Sequence, residues 1–252
     1  MRMHALGGGR LRMKRRTYLP DAASDETIEL PVASFLIRHR QGNVLFDTGC
    51  HPSIASDAAA RWGGLAKLVT PCGPQDNVLD GLKAIGVETD DIDVVVCSHL
   101  HPDHCGCNAF FTKATVVCHV KELEAAGAVD AEKMGYLEVE WNHPQTFDAI
   151  DGERDLFGDG ALVLIALPGH TPGSIGALVS LERSGTILLA SDTVSLRLHL
   201  DRDLIPRNTR DVETLRKSLA EIRRLETRGA TVICGHDADQ WTSLRKGADA
   251  YD

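Results

Sequence analysis

A chain of 252 residues with 43% hydrophobic and 25% charged residues has the composition of an ordinary globular protein. Its net charge of −9 excludes a general nucleic-acid surface, which needs basic patches, and no apolar run approaches the length of a membrane span. Seven cysteines, an odd number, argue against a disulfide framework and for reduced thiols, and with them a cytoplasmic location.

Near the start, Arg10, Arg12, Lys14, Arg15 and Arg16 form a basic cluster that reads as a solvated edge strand or hairpin over residues 10–14. Strands are predicted near residues 30–38 and 43–47. Residues 78–85 read as the end of an amphipathic helix, with Leu79, Leu82 and Ile85 on one face. Residues 92–97 are a continuous apolar run bounded by polar residues, the pattern of a fully buried strand. Directly after it, His99, His101, Asp103 and His104 fall within six residues. His99 and His101 are two apart, so in an extended segment they project to one side and can share one cation. If the chain turns or starts a helix there, Asp103 and His104 point to a second position beside the first. Imidazole nitrogens and carboxylate oxygens are donors that a cation such as zinc accepts. One run thus supplies half of a two-metal site, while Cys105 and Cys107 beside it read as packing thiols.

Further along, residues 114–118 are strand-like, His119 caps or packs at a junction, and residues 120–126 are helical. Residues 130–160 combine large apolar side chains with Gly and Pro, which fits either a loop packed on the core or the wall of a substrate pocket. Residues 1–19 present the same choice. A strand over 161–167 leads into Pro168-Gly169-His170-Thr171-Pro172-Gly173, which holds His170 in a rigid turn. A strand over 186–190 ends near Asp192, and one over 230–234 ends at His236. Between them, residues 211–226 carry Val212, Leu215, Leu219, Ile222 and Leu225 at helical spacing, with Thr209 or Asp211 as N-cap and Gly229 as the stop. Ligands that run from His99 to His236 must converge, so residues 1–252 are read as one domain.

The HxHxDH run, the GHTPG turn with His170, Asp192 in SDT and His236 in CGHD resemble the metallo-β-lactamase superfamily in order and context. Gly42-Asn43-Val44-Leu45-Phe46-Asp47-Thr48-Gly49 is similar to that superfamily's first strand pair and its Asp-Thr-Gly turn. The resemblance implies an α/β fold, an αββα sandwich of two mixed sheets flanked by helices. It also implies a first metal on His99, His101 and His170, a second on Asp103, His104 and His236, and Asp192 as the bridge. Two divalent ions are implied, zinc first, with manganese, iron or cobalt accepting the same ligands. A hydroxide between the two ions would be the nucleophile. Asp103 would pass a proton to the leaving group, and Asp47, Ser98 and Thr171 would orient ligands.

The flanks resemble the N-acyl-homoserine lactonases, the quorum-quenching group. They are Pro31-Val32-Ala33-Ser34-Phe35-Leu36-Ile37-Arg38-His39, the segment Arg61-Trp62-Gly63-Gly64-Leu65 read as a loop, and Gly235-His236-Asp237-Ala238-Asp239-Gln240-Trp241. The resemblance implies opening of an N-acyl-homoserine lactone or a related small lactone. The alternative is a thioesterase similar to glyoxalase II, or another ester hydrolase on this fold. One departure stands out: those lactonases usually carry a tyrosine three residues after the bridging aspartate, and this chain has Ser195. A serine is too short to replace a phenol, which makes Ser195, Arg197 and His199 the residues to inspect for substrate contacts. Di-iron relatives on the fold usually replace one histidine of the site with a carboxylate, whereas His101 is present here.

Overall fold

Short apolar runs in the second to fourth quarters of the chain become strands whose C-terminal ends deliver the polar residues. The computed structural model describes residues 1–73 and 76–252. Strands β1 (Arg2–Lys14), β2 (Thr27–His39), β3 (Gly42–Phe46), β4 (Thr70–Pro71), β5 (Val94–Val96), β6 (Thr115–His119) and β7 (Phe147–Ile150) form one sheet. Its order is β4-β1-β2-β3-β5-β6-β7. A second sheet holds β8 (Arg154–Asp155), β9 (Leu162–Ala166), β10 (Ile175–Leu181), β11 (Gly185–Leu189) and β12 (Thr231–Ile233), in the order β12-β11-β10-β9-β8. Both sheets are mixed: β3, β5, β6 and β7 run parallel, as do β11 and β12, and the other pairings are antiparallel.

Alternation along the strands assigns each face. Val44 and Phe46 of β3 and Ile187 and Leu189 of β11 enter the core between the sheets, whereas Leu45 and Leu188 face outward. Helices pack around the two sheets. They are α1 (Ile54–Trp62), α2 (Val78–Ala84), α3 (Pro102–Cys105), α4 (Val120–Ala126), α5 (Glu138–Trp141), α6 (Arg197–Arg202), α7 (Val212–Thr227) and α8 (Ala238–Ser243). Val78 and Leu82 of α2 pack on the first sheet, and Leu215, Leu219 and Ile222 of α7 pack on the second. Four layers follow, as the resemblance implied. Asp211 caps α7 by accepting from the Thr214 amide at 3.0 Å. Truncating a fully buried side chain such as Leu219 would cost roughly 2–5 kcal/mol.

Three expectations change. The basic residues 10–14, expected as an edge strand or hairpin, form the second half of the longer β1, which pairs antiparallel with β2 from Arg2 to Lys14. Only the two-residue β4 lies outside it. A register shift between Gly7 and Gly9 hides that strand in the sequence. Here the backbones of Gly8 and Gly49 come so close that a Cβ on Gly49 would lie 2.6 Å from the Gly8 Cα. Secondly, Arg61 and Trp62 end helix α1 rather than forming a loop, and both donate to the buried Glu140 carboxylate of α5, at 2.7–2.9 Å. Thirdly, residues 130–160 divide between both of their readings. Trp141 and Phe147 pack on the outer face of the first sheet, while Met134 and Tyr136 line a cavity beside His101.

Candidate metal centre

Most of the expected ligands lie just beyond the end of a strand. β5 runs into His99, β9 into His170, β11 into Asp192 and β12 into His236, while α3 turns Asp103 and His104 inward behind His101. The structure brings all seven together. His101 Nδ1 stands 3.1 Å from His99 Nε2 and 3.2 Å from His170 Nε2. In a second group, Asp103 Oδ2 is 3.5 Å from both His104 Nε2 and His236 Nε2. Asp192 spans the two: Oδ1 is 2.9 Å from His236 Nε2 and 3.5 Å from His104 Nε2, and Oδ2 is 3.5 Å from His170 Nε2. The ligand atoms within each triad lie within 4.8 Å of one another.

Outward hydrogen bonds fix which ring nitrogens face inward. His236 Nδ1 donates to the Pro31 carbonyl at 2.9 Å, His101 Nε2 to the Met134 carbonyl at 3.1 Å, and His104 Nδ1 to Asp47 at 2.8 Å. Ser98 gives its own proton to Asp47, so His99 Nδ1 donates to the Ser98 oxygen at 3.0 Å. Four imidazoles therefore spend their ring proton on the surroundings and turn a lone pair toward each other and toward two carboxylates. His104 Nε2 and Asp192 Oδ1 are buried without a hydrogen-bond partner. Acceptors converging on acceptors need positive charge between them, which fits divalent cations.

The same demand for positive charge sets the acid–base behaviour, in which a proton competes with a cation for the inward nitrogens of His104 and His236. Burial pushes His104 down, but Asp103, Asp47 and Asp192 outweigh it and hold the imidazole at about 10. Burial likewise opposes His236, which Asp192 nevertheless keeps raised. Asp192, driven up by burial, is held well below the usual carboxylate range by His236, His104 and His170. His99 is pushed far down by burial and by the neighbouring imidazoles, and His170 by burial to about 3. His99 and His170 therefore present neutral, lone-pair-bearing nitrogens.

The supporting shell is tightly built. Asp47 and Ser191 adopt left-handed backbone (φ 57° and 47°), a strain of roughly 1–3 kcal/mol each. Their side chains meet through Ser98, whose hydroxyl touches Ser191 Oγ at 2.7 Å. A Cβ on Gly235 would fall 2.5 Å from Asp192 Oδ1, so only glycine leaves room for that carboxylate. Glu122, which no sequence pattern marked, is fully buried. It accepts from the Leu100 amide (3.0 Å), the Thr171 hydroxyl (2.8 Å) and the Gly173 amide (3.0 Å). Thr171 thus acts through Glu122. Cys105 and Cys107 donate to the His101 and Cys50 carbonyls, both at 3.2 Å, consistent with packing thiols.

The residues inspected for substrate contacts lie elsewhere. Ser195 is fully buried, with its hydroxyl on the Asp192 carbonyl at 3.3 Å. Arg197 is directed at Asp201 (2.8 Å) and Glu226 (2.5 Å), because its place at the start of α6 points it toward α7. His199 bonds the Tyr18 carbonyl at 3.0 Å and stacks on the Tyr18 ring. Tyr18, distant in sequence, is buried with its ring edge-on to His236 at 6.5 Å. The cavity of about 380 Å³ that opens against His101 and His170 is lined instead by Asp130, Lys133, Met134 and Tyr136 on one side and residues 207–210 on the other.

Residues 27–236 match the metallo-β-lactamase superfamily. The chain belongs to that superfamily. Within it, the chain is 32% identical to the N-acyl homoserine lactonase AttM of Azorhizobium caulinodans, over 100% of this chain and 99% of the relative. It is 31% identical to the N-acyl homoserine lactonase AiiB of Agrobacterium fabrum, over 90% and 87%. Among solved structures, an N-acyl homoserine lactone hydrolase with N-hexanoyl-L-homoserine at its catalytic metal centre superposes with a TM-score of 0.89 at 23% identity. That superposition covers 99% of this chain and 98% of the neighbour. AidC, a dizinc quorum-quenching lactonase, gives 0.70 at 16% identity over 94% and 87%. The metallo-β-lactamase fold and its hydrolase character follow from these matches.

Proposed function

We propose that this metallo-β-lactamase relative hydrolyses a lactone, an N-acyl homoserine lactone or a related small ring, with all of residues 1–252 acting as one catalytic unit. The observation that carries the reading is the pair of triads joined by Asp192, in a chain matched end to end by lactonases. His99, His101 and His170 would hold one divalent ion, and Asp103, His104 and His236 the other. Asp192 would touch both, and zinc is the first choice for imidazole and carboxylate donors. When bound, the pair supplies a water of lowered pKa and polarises the ester carbonyl.

The chain's own residues set the stage for ring opening. Asp47 and the Pro31 and Met134 carbonyls fix the tautomers of His104, His236 and His101. Asp103 is the more exposed of the two carboxylates, its side chain 18% accessible against 5% for Asp192. It would take the proton of the attacking water and return it to the ring oxygen as the ester C–O bond breaks, leaving a hydroxy acid. Asp103→Asn that kept its metals and full activity would remove this role. The seven buried thiols suit a reducing compartment, and we place the protein in the cytoplasm.

The test is hydrolysis of a panel by metal-reconstituted protein: acyl-homoserine lactones, simple γ- and δ-lactones, a thioester and nitrocefin. Lactone opening that vanishes on chelation and returns with metal is the expected result. Turnover confined to the thioester would give the site to the glyoxalase II-like alternative.

A further inference from the structure

We infer that the preferred lactone carries a negatively charged, carboxylate-bearing substituent, and that the cavity beside His101 and His170 receives it. The inference rests on the lactone-hydrolase reading and specifies the substrate class of that site. Because the cavity opens against two of the proposed ligands, a ring held there extends its substituent between Asp130, Lys133, Met134 and Tyr136 on one side and residues 207–210 on the other.

Charge in that wall runs against the charge of the chain. The protein carries a net −9, yet the cavity is lined by Lys133, Arg207 and Arg210 against a single acid, Asp130. Most surface arginines with a charged partner sit within 4 Å of a carboxylate, as in Arg12–Glu29, Arg197–Glu226 and Arg216–Asp203. Among the described residues no such ion pair forms at Lys133, Arg207 or Arg210. Arg207 instead meets the Pro20 carbonyl at 2.9 Å, and Arg210 the Met134 sulfur at 3.0 Å. These are neutral partners that leave both charges uncompensated.

Polar and aromatic residues complete the wall around those cations. Asn208 and Thr209 line the cavity, as does Tyr136, whose buried hydroxyl interacts with Glu122 and Thr171. Tyr136 itself is only 3% exposed, and its ring lies 5.1 Å from that of His101. An alkyl chain would leave the cations of the wall without an anionic partner, at a cost in binding. A carboxylate can accept from the guanidinium and ammonium groups.

The experiment compares two substrates of equal carbon count, N-hexanoyl-homoserine lactone and its N-adipoyl counterpart, in which a carboxylate replaces the terminal methyl. We expect kcat/KM to favour the N-adipoyl lactone by roughly tenfold, an advantage that shrinks with added salt and falls several-fold in Arg210→Gln and Lys133→Gln. Equal or faster opening of the N-hexanoyl lactone, with a ratio unmoved by either variant, would overturn the anionic preference and leave the lactonase reading intact. Opening of neither lactone by protein carrying both metals would instead defeat the lactonase reading, and this inference with it.

Discussion

Glu122 gives the sharpest energetic prediction. Its single carboxylate joins the loop between His99 and His101, through the Leu100 amide, to the loop that carries His170, through Thr171 and Gly173. Glu122→Ala leaves three buried donors without their acceptor. A hydrogen bond to a charged group contributes about 1.5–3 kcal/mol, and water entering the vacated space recovers part of that, so the loss should be about 3–6 kcal/mol. Against a typical domain stability of about 5–15 kcal/mol this is large but survivable. Glu122→Gln keeps the volume and one acceptor and should lose roughly half as much. Urea unfolding of the metal-free proteins reads the stability. Competition with a chelating dye should show binding by the His99–His101–His170 triad weakened about 10–100-fold. If Glu122→Ala unfolds within about 0.5 kcal/mol of the wild type and binds metal equally well, the carboxylate does not organise the site.

Other outcomes can be stated alongside. Burial holds His199 below its ordinary value, against the Tyr18 carbonyl and Asp192. The folded chain therefore keeps it neutral while the unfolded chain protonates below about pH 6.5. Stability should fall as pH drops through that value, by up to about 1.4 kcal/mol per pH unit, and His199→Gln should reduce the slope. Identical slopes between about pH 7.5 and about pH 5.5 in urea titrations would count against this assignment. Gly235→Ala puts a methyl 2.5 Å from Asp192 Oδ1, so activity should fall by about 10²-fold or more while the circular dichroism spectrum is kept. Unchanged turnover would mean that Asp192 can shift without consequence. Saturating metal at about 100 times its Kd should raise unfolding stability by about 2.7 kcal/mol per site. The absence of any rise would argue that these residues hold no metal in the folded state.

Much of the centre was legible because each ligand follows a short apolar run, and a strand end is where a core element must meet polar chemistry. The cap and stop of α7, Asp211 and Gly229, were readable for the same local reason. What escaped the sequence depends on contacts between distant segments. Three consecutive glycines and a register shift broke the alternation that would have marked the first half of β1. Glu122 looks like one more charged residue on a polar helix until its partners arrive from two other loops. Tyr18 reaches His236 only through the fold, and Arg197, near Asp192 in sequence, is turned toward α7 by its helix. Proximity in sequence misled at Ser195 and Arg197, while the polar wall at residues 207–210 had no local signature.

The most direct test of the account is a titration of metal-free protein with zinc while opening of an acyl-homoserine lactone is followed. Activity that rises until two ions are bound per chain is the predicted result. Full activity at one ion, or activity that persists with none, would contradict a centre built from two triads sharing Asp192.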